Sequence, residues 1–265
     1  MAGLSPRSFR RYSDVVITLA QREFVGRYRG NLLGLSTAVL VPLLFLLAYT
    51  LVFSKLVQIQ LRPDATRVDY AFFFFAGLLG WTLFAETTAR APRLFSAQAH
   101  FVRRALFPSS ALAVAAVLTA FYQALIACGV LVLGLWVLRG SVPVTALLAP
   151  LLLGGVALFT AGVALALASL GIFVRDLLEV VGPLLSIGMF ISPVLYPAAK
   201  IAAVSPWLVR LNPLAPLIEG LRRTLLDGAW PDPAALALAA GWSALALLLG
   251  ASIHRRLRPG LADLL

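Results

Sequence analysis

The sequence predicts an all-α integral membrane protein with six transmembrane helices, and three observations predict it. Of its 265 residues, 61% are hydrophobic and only 12% are charged, with a mean hydropathy of +0.94. An ordinary soluble domain carries about 25% charged residues, so this chain has too little charge to coat a water-exposed surface. Six stretches are long and apolar enough to cross a hydrocarbon layer of about 30 Å at about 1.5 Å per residue. They fall at roughly 31–53, 70–89, 111–138, 146–174, 177–196 and 234–253. The runs are continuous rather than alternating, which favours helices over barrel strands. The composition excludes a soluble globular enzyme, a disordered tail and a coiled coil. Residues 1–265 read as a single transmembrane domain.

Ahead of span one, residues 13–29 carry Arg22, Glu23, Arg27 and Arg29 and lack the apolar core of a signal peptide. Val15, Val16, Leu19, Phe24 and Tyr28 form a stripe at helical period. The segment 1–30 is therefore expected to form an amphipathic helix lying in the membrane interface. The alternative is a solvated helix packed on another subunit.

Orientation follows from the basic residues. With the N-terminus inside, the inner segments hold six arginines in 1–30, four in 90–110, Arg175, and Arg255, Arg256 and Arg258. The outer segments hold fewer, diluted over longer loops. A multi-pass plasma membrane protein with both termini cytoplasmic is the expectation. The net charge of +11 is assigned to this orientation and to anionic membrane lipids, not to nucleic acid.

Spans two and five and the segment after span five carry distinctive residues. Tyr70, Phe72, Phe73, Phe74, Phe75, Trp81 and Phe84 crowd span two. Gly182-Pro183, Gly188 and Ser192-Pro193 interrupt span five. Residues 197–233 are apolar but broken by Pro197, Pro206, Pro213, Pro216 and Pro231. They predict two short helices, about 199–210 and 214–227, re-entrant or interfacial between spans five and six. This segment is a candidate outer gate or a plain cap on the outer leaflet.

The chemistry is sparse. The only lysines, Lys55 and Lys200, lie in no phosphate-binding loop, so ATP hydrolysis would need a partner. The single Cys128 excludes a disulfide framework, and His100 and His254 are too separated to suggest a metal cluster. No cofactor or metal is expected on this chain. Glu86, an acid inside span two, sits near its inner end and reads as an interfacial carboxylate rather than a proton relay. Arg175, Asp176 and Glu179 read as a cytoplasmic turn. The Asp176/Glu179 pair is also the only foothold for a membrane-bound glycan-assembly enzyme. In the loop 90–110, residues 93–104 predict a short helix with Leu94, Phe101 and Val102 apolar and Arg103 and Arg104 exposed. Such a helix suits a partner's groove or anchors the loop beside the membrane.

Taken in order, these motifs resemble a known family. Arg27-Tyr28-Arg29-Gly30-Asn31-Leu32-Leu33-Gly34 leads into span one, which carries Pro42 and ends on Tyr49…Phe53. Phe107-Pro108 leaves the loop, and Arg175-Asp176 precedes Ser192-Pro193-Val194-Leu195-Tyr196-Pro197. Leu211-Asn212-Pro213-Leu214 and Arg222…Leu225-Leu226-Asp227-Gly228 close the series. The chain resembles the membrane (permease) subunit of a type-2 ABC exporter, of the polysaccharide, O-antigen and teichoic acid branch. It departs where members often carry Ser or Thr for Asn31, a Trp after the Leu-Gly pair where Leu35 and Ser36 stand, and a single lysine where Arg103 and Arg104 stand.

The resemblance implies a homodimer with a path between subunits for a lipid-linked polysaccharide. It implies two copies of a cytoplasmic ATPase, bringing ATP and Mg, that dock on Arg93, Leu94, Phe95, His100, Phe101, Arg103 and Arg104. It implies an outer gate, for which Trp207, Asn212, Pro213 and Arg222 are candidates. Tyr49, Tyr70, Phe72, Phe75, Trp81, Phe84 and Tyr196 are candidates for the path, because aromatic faces suit sugar rings. An aromatic belt is the alternative. A drug, lipid or small glycolipid is the alternative cargo.

Overall fold

The computed structural model describes residues 6–30, 32–55, 67–102 and 107–264, and their regular structure is helical throughout. The elements are α1 (Pro6–Tyr28), α2 (Thr37–Lys55, after a 3-10 turn Gly34–Ser36), α3 (Arg67–Ala97), α4 (Ala99–Val102), α5 (Ser110–Arg139), α6 (Ala149–Leu170, after a 3-10 turn Val144–Leu148), α7 (Leu177–Ile191), α8 (Ala198–Val204), α9 (Pro206–Arg210), α10 (Ala215–Leu225) and α11 (Pro233–Leu264). Among the described residues, five stretches are long and apolar enough to cross a membrane: Gly34–Val52, Val68–Ala97, Ser110–Arg139, Val144–Leu170 and Pro233–Leu261.

The expected span 177–196 is shorter as a helix. At 15 residues, α7 is about 22 Å long, below the usual crossing length. It stops at Ile191 because Ser192, ahead of Pro193, is extended at φ −80° and ψ 150°. The same effect splits the expected helix 199–210. Ser205, ahead of Pro206, is extended and separates α8 from α9. The expected helix 214–227 is α10, closed before Gly228.

The helix expected over 93–104 is also redistributed. Residues 93–97 continue α3, which runs through Pro92 for 31 residues, about 46 Å. Only the single turn α4 follows within the described residues, and Arg103 and Arg104 lie outside them. A proline with a helical residue before it bends rather than ends a helix when neighbours hold both sides. Here the end of α6 provides that support: a Cβ on Gly171 would lie 2.2 Å from the Pro92 carbonyl oxygen.

The N-terminal helix packs along α5. Tyr12 meets Ser110, Thr119 donates to the Ala20 carbonyl, and Tyr28 donates to Gln123. The two chains advance together, so α1 packs on the first half of α5 as a parallel neighbour. Its apolar stripe buries Val16 and Ala20.

At the centre, α3 packs against α2, α5, α6, α7 and α10. Phe72, Leu79 and Leu83 form the core with Leu131 and Leu135 of α5, Leu152 and Leu153 of α6, and Ile218 and Leu221 of α10. The pair α6–α11 is joined backbone to backbone. A Cβ on Gly162 would lie 2.3 Å from the Ala246 carbonyl carbon, and one on Gly250 would lie 2.2 Å from the Gly162 oxygen. Small residues allow this approach in membrane helices. The surface of α2 leaves Val39, Leu43, Leu44, Phe45, Leu47 and Leu51 exposed, and that of α7 leaves Val180, Leu184, Ile187, Phe190 and Ile191 exposed.

Candidate functional site

The predicted functional residues fall at two ends of the helix bundle and along one apolar flank. At the α1 end, an ion network ties α1 to α3. Arg27 donates to Glu86 at 2.6 Å and lies 3.6 Å from Glu23, and Arg90 pairs with Glu23 and lies 3.6 Å from Glu86. Glu86 sits 19 residues after Arg67, about 28 Å along α3, and is paired with arginines of both helices. Burial raises the Tyr28 phenol above its ordinary range, against the lowering effect of Arg27. The phenol therefore remains a neutral hydrogen-bond donor.

The loop after α3 sorts the expected docking residues into two groups. Leu94 and Phe95 are buried with Val102, Leu112, Ala113, Ala168 and Leu261. They point into the protein because α3 continues through them, and this corrects their expected place on a docking surface. Arg93 and His100 are exposed. The His100 ring lies 4.2 Å from that of Phe101, which stacks at 5.0 Å on Phe107. Beneath this loop, His254 of α11 sits between Ser109 (3.1 Å to Nε2) and Ser169 (2.9 Å to Nδ1), with the Phe95 ring at 5.7 Å. Its neighbours come from three other helices or their caps, so spacing along the chain carries no trace of this cluster. Arg175, Asp176 and Glu179 are exposed on the turn that opens α7.

At the α10 end the structure converges on Arg222, which is 2% exposed. Its Nε donates to the Phe73 carbonyl at 3.1 Å and its Nη2 to the Val194 carbonyl at 2.6 Å. Nη1 lies 3.4 Å from Glu219, and the guanidinium stands 3.5 Å over the Phe73 ring. Planar geometry lets one guanidinium serve two carbonyls and a ring together. The same elbow is held twice more. Tyr70 donates to the Leu195 carbonyl at 2.8 Å, and Asn212 donates to Ser192 at 2.9 Å while its Oδ1 accepts from the Leu214 amide. Asn212 and Arg222 thus join α10 and the segment before it to the Ser192–Tyr196 elbow and to α3. Pro213 and Trp207 stand beside them, Trp207 exposed with Arg210 over its ring.

Between the ends runs a groove of about 530 Å³, lined by Trp81, Phe84, Phe159, Leu184, Gly188, Trp207 and Asn212 among others. Trp81 fills the notch at Gly188, where a Cβ would meet its ring at 3.1 Å. Tyr49 and Phe75 line a second cleft, of about 230 Å³, with Phe45, Pro42 and Glu86. Tyr196 is exposed. Tyr70 and Phe72 are not on a groove: Tyr70 is tied to the elbow, and Phe72 is fully buried beneath Arg139. These two leave the set of path candidates: Tyr70 is held by its hydrogen bond, and Phe72 is one of four consecutive aromatic residues on a central helix, some of which must face the core.

A multi-pass helical membrane protein with this order of elements defines a class, and comparison with known proteins places it. The family model described as ABC-2 type transporter matches residues 14–226, and the chain belongs to that family of transporter membrane subunits. The chain is similar to the O-antigen export system permease protein RfbA of Myxococcus xanthus, 29% identical over 260 residues and 97% of each chain. It is similar also to the protein of the same name from Klebsiella pneumoniae, 27% identical over 217 residues and 81% of each chain.

Proposed function

We propose that this chain is the transmembrane subunit of an ATP-driven exporter that carries a lipid-linked polysaccharide of the O-antigen type across the plasma membrane. The observation that carries the reading is the near full-length likeness to an O-antigen export permease. In this reading α7 and the elbow after it make the fifth of six crossings, which puts the α1 end and the C-terminus in the cytoplasm. The exposed apolar faces of α2 and α7 meet those of a second copy and enclose the path. Trp81, Phe84 and Trp207 lie on that flank and present aromatic faces to sugar rings. Two copies of an ATPase bind the loop beyond Arg93 and His100, with α1 beside it. The helices α8–α10 close the outer end.

Two measurements test this. A tagged chain isolated from native membranes in mild detergent is expected to bring down a nucleotide-hydrolysing subunit. Its binding is expected to fall when Arg103 and Arg104 are both changed to Glu. A preparation without ATPase activity, even after crosslinking, would overturn the exporter reading. A deletion strain is expected to accumulate long polymer behind the membrane. Accumulation of a lipid or small glycolipid instead would favour that cargo, for which the almost wholly apolar groove at Trp81 is the supporting observation.

A further inference from the structure

Proline removes a helix amide and leaves the carbonyl four residues earlier without its partner. In α2 that proline is Pro42, and the carbonyl is that of Ala38, both buried. The missing donor comes from another helix: Gln123 Nε2 of α5 donates to the Ala38 oxygen at 3.1 Å. The other half of the same amide accepts the Tyr28 hydroxyl at the end of α1. One side chain thus uses a donor on the first span and an acceptor toward the N-terminal helix. An amide is the side chain with both functions in one plane. A leucine would satisfy neither, and a carboxylate would satisfy only the tyrosine.

This arrangement sits where three elements meet. α1 ends at Tyr28, the 3-10 turn Gly34–Ser36 follows, and α2 begins at Thr37. One residue earlier on α1, Arg27 is held to Glu86 of α3. Beyond Pro42 the outer face of α2 is exposed, so this helix has neighbours on only part of its circumference. A proline within a helix that is loosely packed on one side is a hinge unless its free carbonyl is held.

We propose that Gln123 is a positioning residue that stands in for the amide Pro42 lacks and sets the angle of the first span from the end of the N-terminal helix. A displacement of α1 then moves the Tyr28 hydroxyl, the Gln123 amide and the Ala38 turn together, and α2 beyond Pro42 tilts with them. The use of that tilt in transport rests on the exporter reading. The link itself does not, and it is tested without cargo or ATPase.

The test exploits the chemistry of the missing amide. In Pro42→Ala the backbone regains its own donor, so the Gln123 bond to Ala38 becomes redundant. Full-length chain in lipid nanodiscs is compared as wild type, Q123L, P42A and P42A/Q123L by hydrogen exchange of the amides of residues 43–47. In Q123L exchange there is expected to accelerate about three- to tenfold, the range of an intramembrane hydrogen bond, while amides of α11 stay unchanged. In P42A/Q123L it is expected to return to the P42A rate. Y28F is expected to accelerate exchange at the end of α1 more than in α2. If Q123L fails to accumulate in membranes, recovery of its level in P42A/Q123L reads the same coupling. Unchanged exchange in Q123L, or a double variant no better than Q123L in either readout, overturns the proposal.

Discussion

Arg222 shows how one residue holds an entire end of the molecule. A buried cation is tolerated only when its donors are used, and here two carbonyls, an aromatic face and Glu219 use them. The neighbour that makes room is Gly77: a Cβ there would lie 2.6 Å from Nη2 and 3.1 Å from the Val194 oxygen. We therefore expect Gly77→Ala to displace the guanidinium and lower stability by about 1–3 kcal/mol, the range for overpacking a core, read as faster thermal inactivation in detergent. Arg222→Lys is expected to fall in the same range, because an ammonium cannot satisfy both carbonyls in one plane and leaves a buried acceptor unmet. A Gly77→Ala protein as stable as the parent would show that the guanidinium has room to move. His254 illustrates the complementary case at the other end. Its two ring nitrogens meet two hydroxyls from different helix ends, so an isolated histidine in the sequence becomes a structural junction.

Among elements, α1 and α3 are joined by alternating charges across a partly exposed surface. Each pair is worth little alone, about 0–1 kcal/mol for exposed ion pairs, but four groups share the network. Reversing one charge should act more strongly than neutralising it. Glu86→Lys is expected to release α1, read as faster proteolysis near residues 29–36, while Glu86→Gln changes it by about twofold or less. Arg27→Glu in the Glu86→Lys background is expected to restore much of the protection. No restoration would place the link between these helices in their apolar contacts alone. The helix ends at this scale follow local chemistry: prolines 193 and 206 extend the residues before them, and Gly140 at φ +73° ends α5 in the left-handed region.

For the whole molecule, packing divides the helices unequally. α3, α6 and α11 form a tight body through backbone contacts at Gly162, Gly171 and Gly250. α2 and α7 lie at its edge and turn apolar faces outward. If those faces meet in a homodimer, single cysteines at Leu184, Ile187 or Leu43 in a Cys128→Ala background should crosslink between copies in native membranes. A cysteine at Leu248, on the exposed face of α11, should not. Equal crosslinking at both faces, or at neither, would argue against a dimer through α2 and α7.

Most of the membrane-crossing pattern was legible in the sequence. Hydrophobic length is a local property, so the helices now called α2, α3, α5, α6 and α11 overlap the stretches expected from composition, with ends that differ because polar residues continue α3 and α11 beyond their apolar cores. The breaks around Pro193 and Pro206 were visible as prolines, but their consequence for α7 needed backbone angles. The candidate residues fared by a different rule. Asn212, Arg222 and Trp81 stand where the structure concentrates polar links or a groove. Leu94, Phe95, Tyr70 and Phe72 turn inward, because the side a residue faces depends on how far its helix continues and what lies against it.

The sequence by itself determined that this is a membrane protein, which stretches can cross, and which family its ordered motifs resemble. These depend on hydrophobic length, charge and short motifs, all readable along the chain. Only the tertiary structure decided that α1 runs beside α5, that Arg222 serves Phe73 and Val194, and that Gln123 replaces the amide absent at Pro42. Each of these joins residues far apart in the chain through a hydrogen bond or a backbone contact, and such a partner is chosen by packing in three dimensions, where sequence separation has no bearing.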